Sequence, residues 1–120
     1  MDCIFCQLSE AQIIMENEHF VLIADKFPVT KGHLLVISKR HFRDFFEISP
    51  EETLCLRDMV IKAREYLAER FDPEGFNLGM NCGRAAGQSI PHFHLHIIPR
   101  SKDRKMNPIR GMREYIKEIL

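Results

Sequence analysis

A chain of 120 residues has room for one domain, and folding at this size buries roughly two-thirds of the unfolded surface, enough for a core without disulfide staples. Hydrophobic residues at 45% and charged residues at 28% exclude a disordered chain. Seventeen basic against seventeen acidic side chains leave no net charge, which excludes a surface held to nucleic acid mainly through its phosphates. The longest apolar run, Phe20 to Ala24, is far short of the ~18 residues that cross a bilayer. Met1-Asp2-Cys3 shows no charged, apolar, small-residue export pattern, so the four cysteines read as reduced thiols or metal ligands. The expectation is one soluble, cytoplasmic domain spanning 1–120, without nucleic-acid or membrane partners.

The first elements in chain order are β. Ala11 to Asn17 and His19 to Asp25 are rich in Ile, Val, Leu and Phe, and Asn17-Glu18 between them serves as a hairpin turn. Asp25 to Pro28 breaks the second strand, and Thr30-Lys31-Gly32 turns into a third, His33 to Ser38. The aromatic-rich stretch His41 to Ile48 is too short to assign. Ser49 as N-cap, Pro50 at the first helical position and Glu52 three residues after the cap form a capping box. Leu56, Met59, Val60, Ala63, Leu67 and Phe71 follow at helical spacing, so one long helix ends at Asp72-Pro73-Glu74-Gly75. Tyr66 and Cys55 fall off that stripe, which points to a second buried surface on the helix. Phe76 to Asn81 reads as a fourth strand, Cys82 to Ser89 as a polar loop, His92 to Ile98 as a fifth strand and Arg113 to Leu120 as a terminal helix. The fold class is α+β with a mostly antiparallel five-stranded sheet.

Chemistry concentrates in the fifth strand. His92, His94 and His96 alternate, so the three imidazoles share one face at ~6.6–6.8 Å intervals, while Phe93, Leu95 and Ile97 enter a core on the other. Neutral imidazole is a nucleophile, a proton carrier and a metal ligand, and two histidines two apart on a strand can grip one Zn²⁺. The preceding Gly87-Gln88-Ser89, with Asn81 before it, adds backbone, amide and hydroxyl donors suited to phosphate oxygens. That juxtaposition favours phosphate chemistry over a plain metal site.

His92-Phe93-His94-Leu95-His96-Ile97-Ile98 resembles the His-φ-His-φ-His-φ-φ signature of the histidine triad (HIT) proteins, φ being hydrophobic. Asn81 to Ser89 is similar to that family's phosphate loop, and Pro28-Val29-Thr30-Lys31-Gly32-His33 to its Pro-x-x-x-Gly-His segment. The resemblance implies a HIT-like fold and a purine nucleotide hydrolase. His94 would be the nucleophile, forming a covalent nucleotidyl–imidazole that water resolves to a nucleoside monophosphate. His96, His92, Gln88 and Ser89 complete the implied catalytic set. Asp25, Phe27, His33, Asn81 and Gly87 join Gln88, Ser89, His94 and His96 in binding nucleotide, with Asp25 on the ribose hydroxyls. Phe5, Phe20 and Phe27 are candidates to wall the base. His96 stands where related nucleotidylyltransferases carry glutamine, favouring hydrolysis of a dinucleoside polyphosphate or phosphoramidate over transfer. The segment Asn107 to Arg113 departs from the usual Gly-Gly-Val-Arg pattern, which leaves the substrate branch open.

Cys3-Ile4-Phe5-Cys6 offers two thiolates across a tight turn, half a tetrahedral zinc site. The resemblance to zinc-containing prokaryotic members supplies the other ligands, His41 and His92. The zinc would be structural, within an N-terminal element 1–10; a tail runs from about 101 to 120. Cys55 and Cys82 have no partners at ligand spacing. The family also implies a homodimer whose sheets join. Two other readings stay open: a nucleotide-binding or signalling module with little turnover, and a metal-binding domain using the histidines themselves.

Overall fold

The computed structural model describes residues 3–101; the expected terminal helix Arg113 to Leu120 lies outside the described residues. Five antiparallel strands form one sheet in the order β1-β2-β3-β5-β4: β1 (Ile13–Glu16), β2 (Phe20–Ala24), β3 (Leu34–Ser38), β4 (Gly75–Gly79) and β5 (His94–Arg100). The helix α1 (Pro50–Phe71) crosses one face. This is the α+β arrangement expected.

The strand ends differ from the expectation for local reasons. Ser9 and Gln12 form a capping box around a 3-10 turn, Glu10–Gln12, so β1 starts at Ile13. Asn17 closes the hairpin: its Oδ1 accepts from the His19 and Phe20 N–H groups. β5 begins at His94 rather than His92, because the His92 N–H donates to the Ile90 carbonyl and that of Phe93 to the Phe42 carbonyl. The unassigned stretch contains a 3-10 turn, Phe45–Glu47, capped by Asp44.

The capping box of α1 forms as expected, Ser49 Oγ accepting from Glu52 N–H and Glu52 Oε1 from Ser49 N–H. Arg40 pairs with the buried Glu52 carboxylate at 2.8 Å and, by hydrogen bonding, holds it down to about pKa 2. Leu56, Met59, Ala63 and Leu67 are buried against Phe20, Leu22, Leu34, Val36, Phe93 and Leu95. Tyr66 and Cys55 also pack against this core. They therefore do not mark a second buried surface, because the helix footprint on the sheet is wider than one narrow stripe. Gly32 sits where its φ of +93° and the Phe71 ring, 3.0 Å from an added Cβ, both require glycine.

The opposite face carries Val21, Ile23, Leu35 and Ile37, covered by Phe5 and, at the margins, by Leu8 and Ile90. Strand alternation puts Leu95 and Ile97 under the helix and His94 and His96 on this second face. No helix among the described residues is long and apolar enough to cross a membrane.

Candidate active site

A cavity of about 620 Å³ opens on the second face, a size suited to a small organic ligand. His94 and His96 line it together with Asn81, Gly87, Ser89, Asp25 and the 84% exposed Phe27. Ile23 and Leu35 form an apolar floor.

Backbone groups assign the tautomers. His94 Nδ1–H donates to the His92 carbonyl at 2.8 Å, which leaves the lone pair on Nε2. The Val29 N–H donates to His33 Nδ1 at 3.0 Å, so His33 carries its proton on Nε2 and donates to His96 Nδ1 at 2.9 Å. Neutral His96 then carries its own proton on Nε2, turned away from His33. Asp25 Oδ2 lies 3.3 Å from His33 Nε2 and 3.6 Å from His96 Nδ1. An acceptor and a donor thus stand side by side, with ring centroids 5.2 Å apart.

Burial keeps His94 and His33 uncharged near neutral pH. Burial pushes His94 down to about 4, against the opposing pull of the His92 carbonyl. Burial likewise lowers His33 to about 4, opposed by Asp25 and reinforced by His96 and Arg100. For Asp25 burial acts upward, but the facing His96 imidazole, the hydrogen bond from the Phe27 N–H and the neighbouring His33 outweigh it and hold the carboxyl below its ordinary range.

A second cluster adjoins the first. Nδ1 of His92 lies 3.3 Å from Cys3 Sγ, 3.5 Å from Cys6 Sγ and 3.1 Å from His41 Nδ1, and Cys6 Sγ is 3.1 Å from His41 Nδ1. All four donor atoms lie within 4.8 Å of one another. These separations are close to the ~3.3–3.8 Å edges of a tetrahedron with zinc bonds of about 2.0–2.3 Å. His92 donates Nε2–H to the Ser38 carbonyl at 2.8 Å, so its Nδ1 is the ligating nitrogen. The donor set fits zinc.

Several expected residues sit elsewhere than the sequence suggested. The His92 side chain joins the Cys/His cluster, as its expected ligand role requires, but not the catalytic set: what it offers His94 is its carbonyl. The Gln88 amide braces the loop, accepting from Gly83 N–H and donating to the Arg43 and Ile90 carbonyls. It does not line the cavity. His33 is buried behind His96 rather than at the cavity wall, and Phe20 is core beneath α1, not a base wall. Phe5 does line the cavity, its ring edge-on to His94 at 5.1 Å. Sequence reasoning missed Ile4, Leu8 and Gln12, which line the same wall; their signal was only proximity to Phe5.

A family model described as the HIT domain matches residues 7–103. A curated relative, the protein hit of Bacillus subtilis, is 39% identical over 103 residues, covering 82% of this chain and 71% of the relative. The Zn-bound histidine triad family protein of Mycobacterium smegmatis superposes with a TM-score of 0.78 at 31% identity, over 99% of this chain and 96% of that one. A hypothetical histidine triad nucleotide-binding protein of Sulfolobus tokodaii superposes at 0.71 with 32% identity, over 98% and 88%. With the alternating histidines beside the cavity and a match this long, the chain belongs to the histidine triad family.

Proposed function

We propose that this protein is a purine nucleotide hydrolase acting at the α-phosphate of nucleotidyl substrates, with His94 as nucleophile. The observation that carries the reading is the His94 Nδ1–H bond to the His92 carbonyl, which presents an Nε2 lone pair beside the cavity. The S. tokodaii relative, described as nucleotide-binding, supports the ligand class. The base lies between Phe5 and the apolar floor, Asp25 receives the ribose hydroxyls, and Ser89 and the Gly87 region hold the phosphate.

His94 Nε2 attacks the α-phosphorus, forming the N–P bond as the bond to the leaving group breaks. A polyphosphate departs as an anion, accepting a hydrogen bond from His96 Nε2–H. A leaving amine instead takes up a proton from solvent as the P–N bond breaks. The intermediate imidazole is cationic, its Nδ1–H still on the His92 carbonyl, and is therefore a good leaving group. Water adds to phosphorus, the N–P bond breaks, the electron pair returns to His94 and the water proton passes to solvent. A quenched single-turnover reaction with a labelled dinucleoside polyphosphate should leave nucleotide on His94. Label on another residue, or none under any quench, rejects the nucleophile, and binding without turnover selects the binding-module reading.

Cys3, Cys6, His41 and His92 would hold one structural Zn²⁺, closed by four protein ligands. Zinc supplies a cross-link there and no part of the reaction. The same reading makes the protein a homodimer of about 28 kDa, twice the 14.1 kDa chain. β4 ends the sheet, and Leu78 on it is 52% exposed, a surface that a second copy would cover.

A further inference from the structure

Ile4 and Phe5 stand between the two cysteines in a 3-10 turn, Ile4–Cys6, in which the Cys6 N–H donates to the Cys3 carbonyl at 3.1 Å. Both side chains line the cavity, as does Leu8 just beyond. The segment that supplies two zinc donors is therefore also a wall of the pocket. Phe5 has its ring edge-on to His92, a donor of the cluster, at 5.9 Å and to His94 at 5.1 Å. Ile4 is 58% exposed, so packing alone does little to hold it.

The phosphate end is built differently. Gly87, Ser89, His94 and His96 come from β5 and the loop before it. His92, fully buried, is tied to Ser38 through Nε2 whatever occupies Nδ1. Phe5 also rests on Val21, Ile23, Leu35 and Ile37, so loss of a metal would free Ile4 and the cysteines first, loosen the seat of Phe5 and leave the phosphate end in place.

We propose that the Cys-x-x-Cys turn is a positioning device for the base: a metal bridging Cys3 and Cys6 to His41 and His92 holds Ile4 and Phe5 against the nucleoside end of the cavity. Metal occupancy thereby sets affinity for the base while sparing the sugar-phosphate end. The inference rests on the nucleotide reading above.

The test is calorimetric titration of the full chain with AMP and with ribose 5-phosphate, in zinc-loaded, chelator-stripped and Cys6→Ala forms, with circular dichroism to check folding. Removing zinc should weaken AMP binding about tenfold and ribose 5-phosphate binding by less than about twofold. Should the zinc-free forms not fold, zinc-loaded Phe5→Ala decides: it should keep one zinc per chain yet show the same selective loss. AMP affinity unchanged in the variant and zinc-free forms, or parallel losses for both ligands, overturns the proposal and leaves the nucleotide reading standing. Wild type that is zinc-loaded and binds neither ligand overturns both.

Discussion

Two histidine clusters flank His94, built from the same residue type for opposite purposes. In one, His92 turns Nδ1 toward two thiols and His41, because the Ser38 carbonyl has taken the proton on Nε2. In the other, the Val29 N–H occupies His33 Nδ1, so an N–H fills the space between His33 and His96. With its thiols ionised the first cluster needs a cation; the second is satisfied by a proton. A single backbone group, a carbonyl in one case and an amide in the other, selects the tautomer and with it the chemistry.

The comparison is broken most severely at its centre. His94→Ala should lower turnover by about a thousandfold or more while AMP affinity stays within about threefold, since the binding donors remain. Steady-state rates paired with calorimetry check this, and a variant retaining a tenth of wild-type turnover would remove His94 as nucleophile.

The metal-type cluster comes next. Wild type purified without chelator should carry one zinc per chain, and Cys3→Ala should lose it together with about 3 kcal/mol or more of stability. Elemental analysis and urea unfolding provide the numbers. Metal content below about a tenth of an equivalent in wild type, with both thiols freely reactive, would contradict a closed site.

The proton-type cluster should show itself through pH. His33 titrates near 4 in the fold against an ordinary 6.5, so as pH falls the unfolded chain takes the proton first. The stabilisation from a neutral His33 is thus present above about pH 6.5 and lost as pH drops toward 4, about 3 kcal/mol across that interval. Urea midpoints measured between pH 7 and 4.5 should fall steeply for wild type and less steeply for His33→Gln. Parallel curves would assign the acid sensitivity elsewhere.

The smallest effect separates a brace from a catalytic donor. Gln88→Ala leaves the Gly83 N–H and the Arg43 carbonyl without their partner, a loss of about 1–3 kcal/mol in stability. If the amide only braces the loop, stability should fall more than kcat does once folded protein is compared at low temperature. A collapse of kcat with unchanged unfolding would return Gln88 to the reacting phosphate.

Much of this was legible in the amino-acid pattern. The capping box at Ser49 and Glu52, the strand alternation that separates His94 and His96 from Leu95, and the four donors of the Cys/His cluster all follow from local spacing or a recognised motif. Residues at fixed offsets on a helix or strand have their relative directions set by backbone geometry. Which nitrogen of each histidine would carry the proton was not legible. His92 continues the alternation of His94 and His96, yet it falls outside β5 because its N–H is drawn to Ile90. Its ring then meets cysteines at the far end of the chain.

The same limit explains Gln88, Tyr66 and Phe20. Residue type marked each as a donor, an orphan apolar group or a base wall, but the Arg43 carbonyl, the breadth of the helix footprint and the depth of the core assigned them other work. Sequence by itself determined the element order, the helix start and which side chains share a face, because these depend on neighbours a few residues away. Tertiary structure decided which nitrogen of each histidine carries a proton and which wall closes the pocket, because those depend on single carbonyls and amides contributed by distant segments.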